Sequence, residues 1–148
     1  MDGALPLIIQ GGMGIAVSNW MLARTVAQRG QLGVVSGTCI DTVFVRRLQD
    51  GDPTGDIRRA MSRFPIPDVS AAALLNYFLP NGRAPDAPYK LLPMWKQQVS
   101  RAREQITMLA SFVEVYLAKE RGGQIGMNLL TKVQLPNLAT LYGAMLAG

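Results

Sequence analysis

A short apolar run leads directly into a cluster of glycines in residues 7–14, Leu-Ile-Ile-Gln-Gly-Gly-Met-Gly. The unbroken apolar run predicts a strand at Leu7–Gln10 that is buried on both faces, as strands of parallel sheets are. Clustered glycines mark a tight turn or a close approach of the backbone to a ligand. In parallel β/α folds, ligands bind at the carboxyl ends of the strands. We therefore predict that Gln10–Gly14 forms one wall of a cofactor pocket at the mouth of a barrel.

The residues after this turn complete one parallel β/α/β unit. Apolar spacing predicts a helix over about residues 19–29 with Ser18 as its N-cap, and then a second strand at Leu32–Ser36. A crossover of this kind needs about 30 residues, which is the length available here. Since parallel strands joined through a helix end at the same edge of the sheet, we expect Gln10–Gly14 and Ser36–Thr38 to lie side by side.

A long helical insertion, about residues 41–121, is predicted to separate the second strand from the third. Asp41 is predicted to cap a helix that ends near Gln49, and Asp52 to cap a short helix with Pro53 at its first position. Further helices are predicted over about residues 68–78 and 95–120, with a proline-rich extended loop at 79–94 between them.

One more strand and one more helix follow the insertion. The strand is predicted at Gln124–Leu130 and carries Asn128 near its carboxyl end; the helix is predicted from about Leu135 to Ala147. The chain is therefore expected to have an α/β fold with about three parallel strands. A closed (β/α)8 barrel needs eight strands and about 250 residues. The chain is accordingly either a small open sheet or the front part of such a barrel.

Composition and charge exclude several classes of protein. The chain has 148 residues, of which 49% are hydrophobic and 17% charged, so a globular core is expected. The net charge is +5, but the basic residues are dispersed, so we expect no nucleic-acid partner. Residues 3–23 are uncharged, yet they contain Pro6 and four glycines and follow Asp2. They are therefore expected to be neither a membrane span nor a signal peptide, and the protein is expected to be soluble. The single cysteine, which allows no intrachain disulfide, predicts a cytoplasmic protein.

The sequence also excludes several kinds of reactive site within this stretch. It has one cysteine, Cys39, and no histidine. Neither an intrachain disulfide, nor a Cys/His zinc site, nor a Ser/His triad can therefore form here, and no metal site is predicted. Cys39 is expected to be inert, because the sequence shows nothing that would lower the pKa of its thiol.

Three stretches in order resemble a known family. They are residues 7–14, residues 51–61 (Gly-Asp-Pro-Thr-Gly-Asp-Ile-Arg-Arg-Ala-Met), and residues 125–132 (Ile-Gly-Met-Asn-Leu-Leu-Thr-Lys) followed by Gln-Leu-Pro-Asn-Leu at 134–138. This set resembles the nitronate monooxygenases, once called 2-nitropropane dioxygenases, and most closely the longer bacterial members with a helical insertion. The resemblance covers nearly the whole chain. It implies an FMN-dependent TIM barrel that oxidises alkyl nitronates with molecular oxygen.

The resemblance implies that residues 1–148 are the amino-terminal portion of one FMN-binding barrel domain. It assigns cofactor contacts to Gly11, Gly12, Met13, Gly14, Ser36, Gly37 and Asn128. It assigns no catalytic residue to this chain, because the family's catalytic histidine and its FMN-phosphate loops lie further downstream. We therefore expect the isolated chain to bind FMN weakly or not at all and to have little activity.

Each of these residues also has an ordinary structural interpretation. Gly11–Gly14 is also a tight turn, in which Met13 is either a core residue or a contact of the flavin ring. Asn128 is either a flavin contact or a residue that binds a nearby loop. Lys132 either attracts an anionic ring or phosphate or is a solvated surface residue.

Two alternatives to the monooxygenase remain open. FMN-dependent enoyl-acyl carrier protein reductases share this barrel and a similar glycine-methionine loop, but they take electrons from a nicotinamide cofactor. Oxygen consumption with propionate 3-nitronate, compared with oxidation of reduced nicotinamide by an enoyl thioester, separates the two. Alternatively, the chain is an inactive interaction piece whose open sheet edge pairs with the remainder of a barrel or with another copy.

Overall fold

The sheet is open, and all three of its strands are parallel. The structure is a computed structural model that describes residues 5–148. The strands are β1 (Ile9–Gln10), β2 (Leu32–Ser36) and β3 (Ile125–Asn128), and they lie in the order β1-β2-β3. β2 has the predicted bounds, whereas β1 and β3 are shorter than predicted. The prediction of an α/β fold with about three parallel strands is confirmed.

Six helices accompany these strands in the described part of the chain. They are α1 (Trp20–Ala27), α2 (Ile40–Gln49), α3 (Asp56–Met61), α4 (Val69–Tyr77), α5 (Arg101–Lys119) and α6 (Asn137–Leu146). α5 packs against all five of the others. It begins later than the predicted residue 95, because Ser100 caps it: the Oγ of Ser100 accepts a hydrogen bond from the Arg103 N–H at 3.2 Å.

One face of the sheet is covered by helices that run alongside each other. Val35 of β2 packs with Ala23 of α1 and with Val115 of α5, and Met127 of β3 joins this cluster. α6 packs against α5, and its Ala144 contacts the same cluster. Because side chains alternate along a strand, Ser36 and Asn128 point to the opposite face. The sheet therefore keeps one helix-covered face and presents polar groups of β2 and β3 on the other.

The predicted burial of the first strand on both faces is wrong. Leu7 lies outside β1 and is 93% exposed, and Ile8 and Ile9 are also largely exposed. β1 is an edge strand that pairs with β2 alone among the described elements. An apolar run shows that a strand favours burial, but it does not show whether another element is there to cover it.

Two of the predicted helix caps, Ser18 and Asp41, do not cap their helices. α1 is capped by Asn19, whose Oδ1 accepts hydrogen bonds from Met21 N–H at 3.0 Å and Leu22 N–H at 3.1 Å, and not by Ser18. α2 begins directly after Cys39, which takes a left-handed conformation with φ 52°. Asp41 therefore lies inside the first turn of α2, where its carboxylate is turned towards α5 instead of capping the helix.

The third predicted cap, Asp52, does bind the start of its helix, but from further away. The N-cap of α3 is Gly55, and Pro53 precedes the helix instead of occupying its first position. The buried carboxylate of Asp52 accepts hydrogen bonds from the N–H groups of Ile57 at 3.2 Å and Arg58 at 3.0 Å. The turn at residues 51–55 thus places the Asp52 carboxylate against the N–H groups in the first turn of α3.

Buried polar side chains fasten the insertion to the rest of the fold. Glu114 of α5 accepts a hydrogen bond from the Trp20 N–H at 2.7 Å and pairs with Arg47 of α2 at 2.8 Å. Gln49 at the end of α2 binds the backbone of Lys90 through both halves of its amide, donating to the carbonyl at 3.1 Å and accepting from the N–H at 2.7 Å. The long loop before α5 is therefore held in place at its middle.

None of the helices in residues 5–148 is both long enough and apolar enough to cross a membrane. Asp2, on which the expectation about a signal peptide partly rests, lies outside the described residues.

The carboxylate at the start of α3 makes stability depend on pH. Hydrogen bonds from Arg59, which lies 2.7 Å away, and then from Thr54 lower the pKa of Asp56 below its ordinary value of 3.8. A carboxyl with a lowered pKa stabilises the fold above pH 4, and this contribution is lost as the pH falls through the folded pKa. We expect Asp56→Asn to lower the free energy of unfolding by less than about 1 kcal/mol at pH 7.

That difference should vanish near pH 2, as urea titrations of the two proteins at both pH values will show. Asp86→Asn, in the exposed loop before α5, controls for the loss of one negative charge. A difference that is as large at pH 2 as at pH 7 would contradict the assignment to the Asp56 carboxylate.

Candidate functional site

The carboxyl ends of the three strands bring the predicted site residues together. Ser36 and Asn128 are register partners on β2 and β3, and the glycine loop Gly11–Gly14 follows β1 at the same edge. We call Gly11–Gly14, Ser36, Gly37 and Asn128 the glycine rim. These residues lie close together, as predicted, because the crossovers between parallel strands bring the end of each strand to the same edge of the sheet.

The two polar side chains of the strands hold the glycine loop. Ser36 Oγ donates a hydrogen bond to the Gly14 carbonyl at 2.5 Å, and Asn128 Nδ2 donates one to the Gly12 carbonyl at 3.1 Å. β1 and β3 are separated by β2, which places them about 9–10 Å apart in an extended sheet. The loop therefore bends over the end of β2 towards β3, and the edge of the sheet becomes concave.

A buried serine fixes the inside of the same loop. Ser18 Oγ accepts hydrogen bonds from the Met13 N–H at 2.8 Å and from Gln10 Nε2 at 2.9 Å, and it donates to the Gly11 carbonyl at 3.2 Å. The prediction that Ser18 caps α1 is wrong, because its hydroxyl binds the glycine loop instead. The only sequence signal for the true role is a polar Gln10 at the end of an otherwise apolar strand.

Three of the four glycines at the rim are required by the chain itself. A Cβ on Gly12 would lie 2.5 Å from Asn128 Oδ1, and one on Gly37 would lie 2.6 Å from the Asn128 carbonyl oxygen. Gly14 has φ +55°, which favours glycine. Gly11 differs, because a Cβ there would meet no atom of the described residues within 4 Å. Internal packing therefore leaves Gly11 unexplained, and the space in front of it is open.

Met13 lies on the surface of the rim. Its side chain is 57% exposed, so the alternative that it is a core residue is wrong. Ile15 and Val17 in the same loop are exposed to a similar degree. The loop thus presents apolar side chains beside the open space at Gly11.

One buried atom at the rim has no hydrogen-bond partner among the described residues. Asn128 Oδ1 is buried and unpaired, while the Nδ2 of the same amide is committed to Gly12. The amide cannot be turned around without facing its oxygen towards the Gly12 carbonyl oxygen. An unpaired buried carbonyl costs about 1–3 kcal/mol. The rim therefore contains one buried acceptor, covered by Gly12, for which the described residues provide no donor.

An apolar cleft of about 490 Å³ lies next to the rim and shares Gly37 with it. At its floor, Asp41 Oδ2 lies 2.6 Å from Arg103 Nη1, and the side chains of both residues are only 6% exposed. Thr107 Oγ1 donates to the same carboxylate oxygen at 3.0 Å. Sequence reasoning missed this ion pair, although the position of Arg103, three residues before Ile106 on the apolar face of a predicted helix, was a signal.

Two further residues considered in the sequence, Lys132 and Cys39, form none of the hydrogen bonds of the rim described above. Lys132 is exposed in the loop after β3, as the interpretation of it as a surface lysine expects. Cys39 is exposed at the start of α2 and lines the cleft.

A comparison with known proteins finds no family model that matches this chain, and no curated protein or solved structure that matches it. The resemblance of its motifs to the nitronate monooxygenases therefore stays a prediction, and the geometry of the rim and of the sheet carries the functional argument.

Proposed function

We propose that this chain is the amino-terminal part of an FMN-dependent barrel oxidoreductase of the nitronate monooxygenase type, and that the glycine rim holds the flavin ring. The observation that carries this proposal is the buried, unpaired Asn128 Oδ1 at the edge where Gly11 leaves open space. The isoalloxazine ring is flat and carries an N–H donor. A bare backbone would let such a ring lie close, and a buried acceptor would pair with its N–H group.

The apolar surfaces of the sheet support the barrel. Exposed apolar residues occur on both flanks: Leu7 just before β1 and Ile9 in β1, and on α6, where Leu138 is 80% exposed. On α6 they recur at helical spacing and form a stripe of Leu138, Leu141, Tyr142 and Met145. Parallel sheets are normally covered on both faces and flanks. A barrel that continues from β3 and closes onto β1 would bury both surfaces.

The residues of the rim have separate tasks in this proposal. Gly11 lets the backbone approach the ring, Asn128 accepts a hydrogen bond from a ring N–H group, and Ser36 keeps the loop bent over β2. Bound FMN would supply the oxidation–reduction chemistry between an alkyl nitronate and molecular oxygen. The chain contains no histidine, so its residues bind and orient the ring and do not act as an imidazole base.

Flavin titration followed by amide NMR tests this proposal. We expect FMN and riboflavin to bind equally weakly, above the micromolar range, because the rim contacts the ring and not the phosphate. The shifted resonances should include Gly11, Gly12 and the side-chain amide of Asn128. Gly11→Leu should abolish these shifts while changing the free energy of unfolding by less than about 0.5 kcal/mol, because its side chain enters open space.

Two further variants control this experiment. Gly30→Asn alters a glycine turn with φ +72° that also has no neighbour within 4 Å, and it should leave the flavin shifts unchanged. Gly12→Ala should weaken binding and also lower stability, because its Cβ displaces the Asn128 amide. Flavin shifts that persist in Gly11→Leu, or that spare the rim altogether, would refute the proposed site. Micromolar FMN binding that riboflavin does not share would show that this chain itself contains a phosphate anchor.

A further inference from the structure

The cleft beside the rim has the size and lining of a small-molecule site. It lies between the start of α2, the loop before α5 and the loop between β3 and α6. Its walls include Val45, Leu91, Trp95 and Leu135. Its volume of about 490 Å³ is within the 300–1,000 Å³ that is typical of ligand pockets, which are also mostly apolar.

Buried polar contacts hold the loop that forms one wall of the cleft. Gln49 binds both backbone groups of Lys90, and Arg103 Nε donates to the Pro93 carbonyl at 2.9 Å. The Arg103 guanidinium also lies 4.5 Å from the centre of the Trp95 ring. These contacts fix the loop at three points along its length. The wall is therefore preformed, which lowers the entropic penalty of binding a ligand there.

The lining of the cleft includes one cationic side chain that no ion pair among the described residues occupies, that of the exposed Arg46. Lys90 also lines the cleft, but its ammonium group donates to the Asn76 carbonyl at 3.0 Å, outside the cleft. Its carboxylate, Asp41, is already paired with Arg103. The Arg46 guanidinium lies 4.9 Å from the Tyr89 ring and forms no ion pair within residues 5–148. A ligand that combines an apolar body with one negative charge would match this distribution.

We propose that the cleft binds an unbranched alkyl carboxylate, with its chain between the apolar walls and its carboxylate at Arg46. An alkyl chain needs no hydrogen bonds from Leu91, Val45 or Leu135. A peptide, by contrast, would bring a polar backbone that these side chains cannot satisfy. The proposal does not depend on flavin binding at the rim, since the cleft shares only Gly37 with the rim and its charged groups belong to other residues.

Calorimetric titration with octanoate, decanoate and dodecanoate, below their micellar concentrations, tests this inference. We expect the affinity to rise about fourfold for each added methylene, because each one leaves water for an apolar wall. Trp95 offers a second readout: in a Trp20→Phe background it is the only tryptophan, and its emission should shift to the blue as the chain binds.

Charge variants test the position of the carboxylate. Arg46→Glu should weaken decanoate binding about tenfold or more, since it replaces a charge-assisted contact by repulsion. Arg63→Glu makes the same change in net charge at an exposed position outside the lining of the cleft, and it should have no effect beyond weak long-range screening. Decyltrimethylammonium should bind at least tenfold more weakly than decanoate, because it has the same chain with the opposite charge.

Several results would overturn the inference. They are an affinity that does not change with chain length, equal binding of the decyl cation and decanoate, equal effects of Arg46→Glu and Arg63→Glu, and no binding at millimolar ligand. Sedimentation that reveals a dimer dissociated by decanoate would instead identify a second copy of the chain as the natural occupant, and would overturn it as well.

Discussion

Replacing Arg103 by methionine is expected to lower the free energy of unfolding by about 3–5 kcal/mol, the usual effect of leaving a buried charge without its partner. Asp41 Oδ2 lies 2.6 Å from Arg103 Nη1, and both side chains are 6% exposed. The remaining donors to this carboxylate, including Thr107 Oγ1 at 3.0 Å and the Thr42 N–H at 2.7 Å, are uncharged and cannot compensate a buried negative charge. Denaturant unfolding at pH 7 measures the loss, and Arg101→Met at an exposed position of the same helix should change stability by less than about 0.5 kcal/mol.

A double variant separates the loss of the ion pair from the effect of leaving the Asp41 carboxylate buried without its partner. Asp41→Leu combined with Arg103→Met removes both charges and leaves apolar side chains of similar length. It should be more stable than Arg103→Met alone, because replacing a buried pair by apolar residues is often close to neutral. If the double variant instead loses the sum of the two single losses, burial of an unpaired charge is not the cause.

The same substitution should also loosen the wall of the cleft. Arg103 holds the Pro93 carbonyl and stacks on Trp95, so Arg103→Met removes two anchors of the loop before α5. The Lys90 amide, which donates to Gln49 at 2.7 Å, should then exchange hydrogen faster, while the amides of β2 change only through the global loss of stability. This result would link the buried ion pair to the shape of the proposed ligand site.

Replacing Gly33 by alanine is expected to lower the free energy of unfolding by about 3 kcal/mol, as overpacking against a rigid neighbour does. A Cβ on Gly33 would lie 2.7 Å from the carbonyl carbon of Ala23, which is part of the α1 backbone. A backbone group cannot turn aside as a side chain can. The substitution therefore has to push α1 away from β2, and this opens the cluster around Val35.

Gly126→Ala is the matched control, because Gly126 lies on the neighbouring strand β3. A Cβ there would meet the Val34 side chain at 3.3 Å, and that side chain can shift. We expect its loss to stay below about 1 kcal/mol, measured by the same denaturant titration. Equal losses for the two variants would show that the close approach of α1 to β2 is not what requires glycine at position 33.

The elements of the fold were predictable because their signals are local. The apolar run at 32–36 predicted β2 with its observed bounds, and helical spacing predicted α2, α4 and α6 to within two residues. Caps were less predictable, because two or three adjacent polar residues compete for each helix end. Ser18 and Asn19 both suit the start of α1, and the choice depends on Ser18 being taken up by the loop after β1.

The candidate site was predictable only in part. The order of parallel strands already places Gly12, Ser36 and Asn128 at one edge, so their neighbourhood followed from topology. The hydrogen bonds that these residues form could not be predicted from the topology. Asn128 reaches Gly12 across 116 residues of sequence, and Gln49 binds Lys90 across 41. No periodicity or motif encodes such pairs, since they depend on how separate elements approach each other.

By itself, the sequence determined that residues 5–148 contain three parallel strands, a helical insertion between the last two, and a glycine turn at the edge where those strands end. It did so because apolar spacing and glycine act within a few residues of the chain. Only the tertiary structure decided that position 12 has no room for a side chain beside Asn128, that Asp41 faces Arg103, and that the loop before α5 leaves a cleft open beside the rim. These features arise where distant segments meet, and there the packing of one backbone against another selects which residues a position tolerates.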